Sequence, residues 1–231
     1  MSESDQDELE ADADVDPELL ERFNRAATEA FEGRTEAALQ AWESLLDVID
    51  EDTPRSFVGE VRMRRCWVLM DLERYEEAAE MLATEAMEPY LDYFSDEVLF
   101  EYFFCHANTL GTLGRIEPMD GQFRRAMYVA AEHLRDMERC QRCWLNLLMF
   151  GEQAQDWEYL AKTSEAGQRF AEGGQLTVLG FIAGLHHAAA LRGLGKLDEA
   201  REKADALLTQ AQAWRDEDAI ERVQALIAEM D

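Results

Sequence analysis

The sequence has few residues that interrupt helices and little that favours a sheet. Proline occurs four times and glycine 13 times in 231 residues. No stretch alternates apolar and β-branched residues between turn signals, so the sequence predicts no sheet. Alanine, leucine and glutamate, which are strong helix formers, are abundant instead. The composition therefore predicts an all-α protein.

Basic residues are also scarce. Lysine and arginine number 22 against 50 aspartates and glutamates, which gives a formal net charge of −28. Three of the basic residues are lysines: Lys162, Lys196 and Lys203. Because phosphate backbones and anionic lipid heads are bound through Lys and Arg, this balance argues against nucleic acid and membrane partners. It favours a basic peptide or protein as partner, although solubility alone also explains it.

The sequence carries no sign of targeting to another compartment. Its N-terminus has neither a basic region nor an apolar core, and nowhere do 18 consecutive apolar residues occur. A cytoplasmic location is therefore expected. In that compartment cysteines are held as reduced thiols. The four cysteines are Cys66, Cys105, Cys140 and Cys143.

Residues 1–16 contain eight acidic side chains and no aromatic or basic residue. Such a segment cannot bury enough apolar surface to offset the entropy of ordering, so we expect a disordered acidic tail. Asp16, Pro17 and Glu18 then supply a helix N-cap, a proline at the first helical position and a favourable first-turn charge. A helical domain is therefore expected over 17–231.

Five similar segments recur along the chain, beginning at positions 33, 73, 114, 155 and 195. Each has a small or aliphatic residue at its sixth position, and these positions are spaced by 40, 41, 41 and 40 residues. Self-similarity at such a fixed period predicts a repeat architecture. The equivalent residues are Ala38, Ala78, Met119, Leu160 and Ala200.

Each repeat is interpreted as a helical hairpin. The recurring segment is the second helix, as in 73–86, and an amphipathic first helix precedes it. Gly33, Gly114 and Gly195 suit the corners between the two helices. The first helices are expected at 17–32, 55–72, 95–113, 136–153 and 176–193. The repeat units are then 17–54, 55–94, 95–135, 136–175 and 176–215, followed by a cap helix at 216–231.

The segments GRIEPMDGQFRRAM (114–127) and GKLDEAREKADALL (195–208) carry a glycine, an aliphatic residue two positions on and a small or apolar residue three positions after that, with alanine further on. This pattern resembles the tetratricopeptide repeat (TPR) over roughly residues 18–213. The resemblance implies an α-α superhelix of five hairpins. It also implies a non-catalytic scaffold or adaptor for protein–protein interactions. A period near 40 rather than the usual 34 implies helices longer by about a turn.

The resemblance further implies that the first helices line a concave groove that holds a peptide or helix of the partner protein. Phe23 and Phe104 stand where chaperone-binding members carry lysine, so clamping of a C-terminal carboxylate is not expected. The implied partner-binding residues are Phe23, Met63, Trp67, Phe104, Asn108, Arg142, Leu145, Met149 and Leu185. The alternative is that these side chains pack on one another or on the cap helix.

Two kinds of chemistry are considered for the cysteines. Cys140 and Cys143 share a helix face, and together with Cys105 and His106 they could form a zinc cluster. A redox pair at Cys140 and Cys143 would need a lowered thiolate pKa. The alternative is that all four cysteines fill the core, and that His106 and His187 occupy positions normally taken by buried leucine. Neither a metal nor another cofactor is expected.

The sequence lacks the phosphate-binding GxxxxGK[ST], GxSxG and HExxH motifs, so we do not expect an enzyme. The leading interpretation is an adaptor that binds a peptide or helix of a partner protein, which the acidic surface would attract if basic. Two alternatives stay open. One is a chaperone for a basic or aggregation-prone client, and the other is a self-assembling homo-oligomer.

Overall fold

The computed structural model describes residues 15–230, and all regular structure in that range is helical. The prediction of an all-α protein is confirmed. Twelve α-helices occur there: α1 (Pro17–Phe31), α2 (Thr35–Leu46), α3 (Arg55–Asp71), α4 (Tyr75–Leu82), α5 (Thr84–Leu91), α6 (Asp96–Thr112), α7 (Ile116–Tyr128), α8 (Met137–Gln153), α9 (Trp157–Gly174), α10 (Thr177–Gly193), α11 (Leu197–Trp214) and α12 (Glu217–Ala228). A π-helical turn, Val129–His133, follows α7.

The chain divides into two compact units, Met1–Arg135 and Asp136–Asp231. Within the described part of the first unit, consecutive helices pack into the hairpins α1–α2, α3–α4 and α6–α7. The second unit contains the hairpins α8–α9 and α10–α11, and α12 packs on α11. First helices are also neighbours within a unit, because α3 contacts both α1 and α6, and α8 contacts α10.

The start of the first helix follows from its sequence. Asp16 is the N-cap of α1, and its Oδ1 accepts a hydrogen bond from the backbone N–H of Glu18 at 2.8 Å. Val15, just before it, is buried at 6% exposure and belongs to the core of the first unit. The remainder of the expected acidic tail, residues 1–14, lies outside the described residues.

The corners between paired helices need a left-handed backbone. Gly33, Gly114 and Gly195 have φ values of 73°, 69° and 74°, as expected for the glycines of the first, third and fifth hairpins. In the second and fourth hairpins the same conformation is adopted by Glu73 and Gln155, with φ of 58° and 53°. The left-handed corner therefore occurs in all five hairpins, whether or not the residue there is glycine.

One expected helix is wrong. The sequence predicts a single helix over 73–86, but α4 ends at Leu82 and α5 begins at Thr84, with Ala83 between them in an extended conformation (φ −53°, ψ 139°). The hydroxyl of Tyr102, on α6, donates to the carbonyl oxygen of Leu82 at 3.0 Å. That carbonyl would otherwise accept the next helical hydrogen bond from Ala86. The break therefore coincides with a contact from a residue 20 positions away.

Aromatic side chains contribute to the core of the first unit in two places. Trp42, which is 1% exposed, meets the edge of Phe23 at 5.0 Å between ring centroids. Further along, Tyr102 and Phe123 are completely buried. In the second unit, Leu147 and Leu148 are buried, and α12 buries Ala219 and Val223. Among the helices of residues 15–230, none is both long and apolar enough to cross a bilayer.

Candidate partner-binding face

Three side chains lie along one side of α3. Glu60, Arg64 and Trp67 are four and three residues apart, a spacing that places them on one helix face. The Arg64 guanidinium donates from Nη2 and Nε to Glu60 Oε1 at 2.9 and 3.3 Å. Its Cζ lies 4.7 Å from the centroid of the Trp67 ring. The side chains of Glu60 and Arg64 are each 39% exposed, so solvent reaches this arrangement.

The Trp67 indole is held from the neighbouring helix. Its Nε1–H donates to the Sγ of Cys105 on α6 at 2.9 Å, and Cys105 itself is buried. The Trp67 ring is half-buried. It is therefore fixed at its polar edge by α6, while Arg64 lies over its ring.

Two predicted partner-binding residues lie one turn apart on α6. Phe104 is half-buried, stacks on Phe100 at 5.5 Å between centroids, and meets Phe123 edge-on at 5.8 Å. Asn108 donates from Nδ2 to the carbonyl oxygen of Phe104 at 2.7 Å. We call the set of Glu60, Arg64, Trp67, Phe104 and Asn108 the α3–α6 face.

The other two residues predicted in the first unit are Met63 and Phe23. Met63 is 2% exposed, so its side chain lies in the interior and does not reach the surface. Phe23 is half-buried against Trp42 and Phe57. The exposed residue on the same turn as Met63 is Arg64, which the sequence reasoning missed. The spacing of Glu60, Arg64 and Trp67 could have identified Arg64, because residues four and three positions apart share a helix face.

The predicted residues of the second unit lie on α8 and α10. Arg142 is exposed and Met149 is 38% exposed, whereas Leu145 is half-buried. Leu185 is half-buried and packs against the cluster around Phe181. These residues occupy two neighbouring first helices. Their role in partner binding stays a prediction.

A contact between a histidine and a carboxylate connects the same two helices of the second unit. His186 Nδ1, on α10, lies 3.1 Å from Glu152 Oε2, on α8. The hydrogen bond with His186 lowers the pKa of Glu152, and Arg192 acts in the same direction through its charge. The pair adds a polar contact beside Leu185 on α10.

The cysteines do not have the environment of reactive thiols. All four are buried. Burial raises the pKa of Cys66 to about 12, and burial also raises the pKa of Cys140. A redox pair at Cys140 and Cys143 needs the opposite shift, because the thiolate is the nucleophile. Among residues 15–230, no group of three or more His, Cys, Asp or Glu side chains could hold a metal ion.

His106 is a buried histidine, as one of the two interpretations of this residue held. It is 6% exposed, and its Nδ1 has no hydrogen-bond partner. Burial lowers its pKa to about 4, and the positive charge of Arg125 adds to the effect. His187 is half-buried, and its Nδ1 lies 3.4 Å from Gln168 Oε1. Burial lowers the pKa of His187 as well.

No protein-family model and no curated protein matches the sequence. Solved structures do match. The nearly identical TPR-like repeats of a kinesin light chain-like protein from Podosopora anserina are 14% identical to the chain. The match has a TM-score of 0.60 and covers 93% of this chain and 97% of that one. A single-substitution variant of those repeats matches at a TM-score of 0.52 and 14% identity, over 86% of this chain and 97% of that one.

These matches bear on the fold, since identity is low and coverage is nearly complete on both sides. They agree with the helical hairpins seen in each unit. The chain therefore has the fold of the TPR-like repeat proteins, as the repeat pattern predicted.

Proposed function

We propose that the chain is a non-catalytic scaffold that binds a peptide or a helix of a partner protein on the α3–α6 face. The observation that carries the proposal is the pair of half-buried aromatic side chains, Trp67 and Phe104, on neighbouring first helices. Aromatic side chains that combine apolar area with a fixed orientation are typical anchors of protein interfaces. Repeat proteins of this architecture use extended surfaces of stacked helices for binding.

The acidic residues on and around the α3–α6 face favour a basic partner. Glu60 and Glu101 are partly exposed on α3 and α6, and Asp71 and Glu97 are exposed at the ends of the same stripes. The whole chain carries a formal charge of −28. A field of one sign speeds the encounter with an oppositely charged partner, whereas the apolar contacts hold the complex.

A non-catalytic role is consistent with where the perturbed groups lie. Cys66 and His106, the thiol and the imidazole whose pKa values burial shifts far from ordinary, are 0% and 6% exposed. A substrate could not reach either side chain without opening the core. Catalytic acids and bases lie in clefts that a substrate enters.

Recovery of partners from a native lysate tests the proposal. The comparison uses the wild-type chain, Trp67→Glu and, as matched control, Tyr128→Glu, which introduces the same charge at an aromatic residue that is 62% exposed elsewhere in the first unit. We expect the same few proteins with wild type and Tyr128→Glu, and their loss with Trp67→Glu. Circular dichroism shows whether each variant is folded, and Trp67→Gln repeats the test without an added charge.

Two other results would change the conclusion. Equal recovery by wild type and Trp67→Glu would contradict binding at the α3–α6 face, and Met149→Glu would then test the second unit. Recovery of the chain alone, with a molar mass that rises with concentration in light scattering, would favour the homo-oligomer.

A further inference from the structure

The α3–α6 face contains an arginine that already has the two contacts a guanidinium group prefers. Arg64 lies over the Trp67 ring at 4.7 Å, and two of its nitrogens donate to one carboxylate oxygen of Glu60. An aromatic face and a carboxylate together bind arginine through cation–π attraction and charge-assisted hydrogen bonds. The geometry is therefore that of an arginine-binding position.

We propose that the Trp67 ring and the Glu60 carboxylate form a binding position for an arginine side chain of the partner, and that Arg64 competes for it. This proposal rests on the proposed function, because it names the chemistry recognised at the same face. Binding then exchanges one arginine for another. The partner's guanidinium stacks on Trp67 and donates hydrogen bonds to the Glu60 carboxylate, while Arg64 turns into solvent.

Trp67 and the competing Arg64 differ in how firmly they are held. Trp67 is fixed by its hydrogen bond to the buried Cys105 on another helix. Arg64 is 39% exposed, and its contacts with Glu60 and Trp67 are local ones on its own helix. Exposed local contacts of this kind are weak, because water and salt screen them and the long side chain loses entropy in them. The Trp67 ring is therefore held in place, whereas the Arg64 side chain can be displaced from it.

The surrounding charge selects a cation over an anion. Asp71 and Glu101 lie one turn beyond Trp67 and one turn before Phe104, and the chain as a whole is strongly acidic. An acidic ligand drawn to Arg64 would have to approach against this field. Arginine is favoured over lysine because its planar group stacks on the ring and donates several hydrogen bonds at once.

The test follows the indole N–H resonances of the ¹⁵N-labelled full chain during titration with N-acetyl-arginine amide. The chain has five tryptophans, and Trp67→Phe identifies the resonance of Trp67. N-acetyl-citrulline amide, which has nearly the same shape and no charge, is the ligand control. Arg74→Ala is the protein control. It removes an arginine of the same 39% exposure that pairs with Glu77 three residues away.

We expect a saturable shift of the Trp67 resonance with arginine and none with citrulline. Arg64→Ala should lower the Kd by about fivefold, equal to about 1 kcal/mol, because the competing side chain is gone. Adding Glu60→Gln to Arg64→Ala should raise the Kd again by a similar factor. Arg74→Ala should leave the Kd at the wild-type value.

An unchanged or higher Kd in Arg64→Ala would overturn the proposal, as would an equal shift with citrulline. Tighter binding of N-acetyl-aspartate amide than of the arginine probe by wild type would show that Arg64 recognises an acidic partner instead. These failures are separate from failure of the scaffold itself. If Trp67→Glu still abolished partner recovery, the face would bind its partner through other contacts.

Discussion

Trp67 and Cys105 are joined by a hydrogen bond of 2.9 Å although they lie 38 residues apart in the sequence. The bond connects the first helices of two successive hairpins, α3 and α6, which are neighbours in the first unit. It fixes the polar edge of an indole whose ring is half-buried and lies beneath Arg64. One buried thiol thus positions the aromatic residue that is central to the proposed binding face.

A double-mutant cycle measures this contact. Trp67→Phe removes the donor and Cys105→Ala removes the acceptor, and each single change should lower the free energy of unfolding by about 1–2 kcal/mol. Because both changes delete the same hydrogen bond, the double variant should lose less than the sum, with a coupling of about 0.5–1 kcal/mol. Urea denaturation provides the values. A coupling near zero would show that the N–H···S contact contributes nothing to stability.

The buried His106 predicts a stability that depends on pH. The unfolded chain binds a proton at this side chain near its ordinary pKa of 6.5, but the folded chain does so only near pH 4, because burial disfavours the charged form. The unfolded state therefore binds more protons between these values, and acidification destabilises the fold. From pH 7 to pH 5 the loss assigned to His106 should be about 2 kcal/mol.

His106→Leu isolates this contribution from that of the many carboxylates. Leucine is the residue expected at this repeat position, and it removes a buried Nδ1 that has no hydrogen-bond partner. The variant should be at least as stable as wild type at pH 7 and should lose about 2 kcal/mol less on going to pH 5. Arg125 and Glu85, the charges that act on His106, are present in both proteins. Parallel pH profiles would mean that His106 does not contribute.

The left-handed corners offer a matched pair of backbone tests. Glu73 adopts φ of 58° in the corner of the second hairpin, where Gly114 adopts 69° in the third. Glu73→Gly should raise the free energy of unfolding by about 0.5–1 kcal/mol, and Gly114→Ala should lower it by about 1 kcal/mol. An added Cβ at Gly114 would meet no atom within 4 Å, so the cost is conformational. Thermal unfolding of both variants gives the signs, and opposite signs from those expected would refute the argument.

Much of the fold could be predicted from local patterns. The 40-residue spacing of Ala38 and its equivalents identified the hairpins, and the glycines at 33, 114 and 195 located three corners. The break at Ala83 could not be predicted in this way. It coincides with a hydrogen bond from Tyr102 to Leu82, which exists only after α6 has packed against α4.

The candidate site was predicted less well, for a related reason. Residues that are three or four positions apart share a helix face, so both Met63 and its neighbour Arg64 fit the pattern between Glu60 and Trp67. Packing decides between them, because Met63 is 2% exposed whereas the Arg64 side chain is 39% exposed. The contact of Trp67 with Cys105 likewise depends on how adjacent hairpins are aligned, which no single repeat encodes.

Selection from a displayed library of random peptides shows which sequences bind to the α3–α6 face. Peptides enriched on the wild-type chain are synthesised, and their Kd values are measured for wild type, Trp67→Glu and Tyr128→Glu. We expect peptides that combine arginine with apolar residues, bind Trp67→Glu at least about tenfold more weakly, and bind Tyr128→Glu as wild type does. Enriched peptides that bind wild type and Trp67→Glu equally would contradict binding at that face.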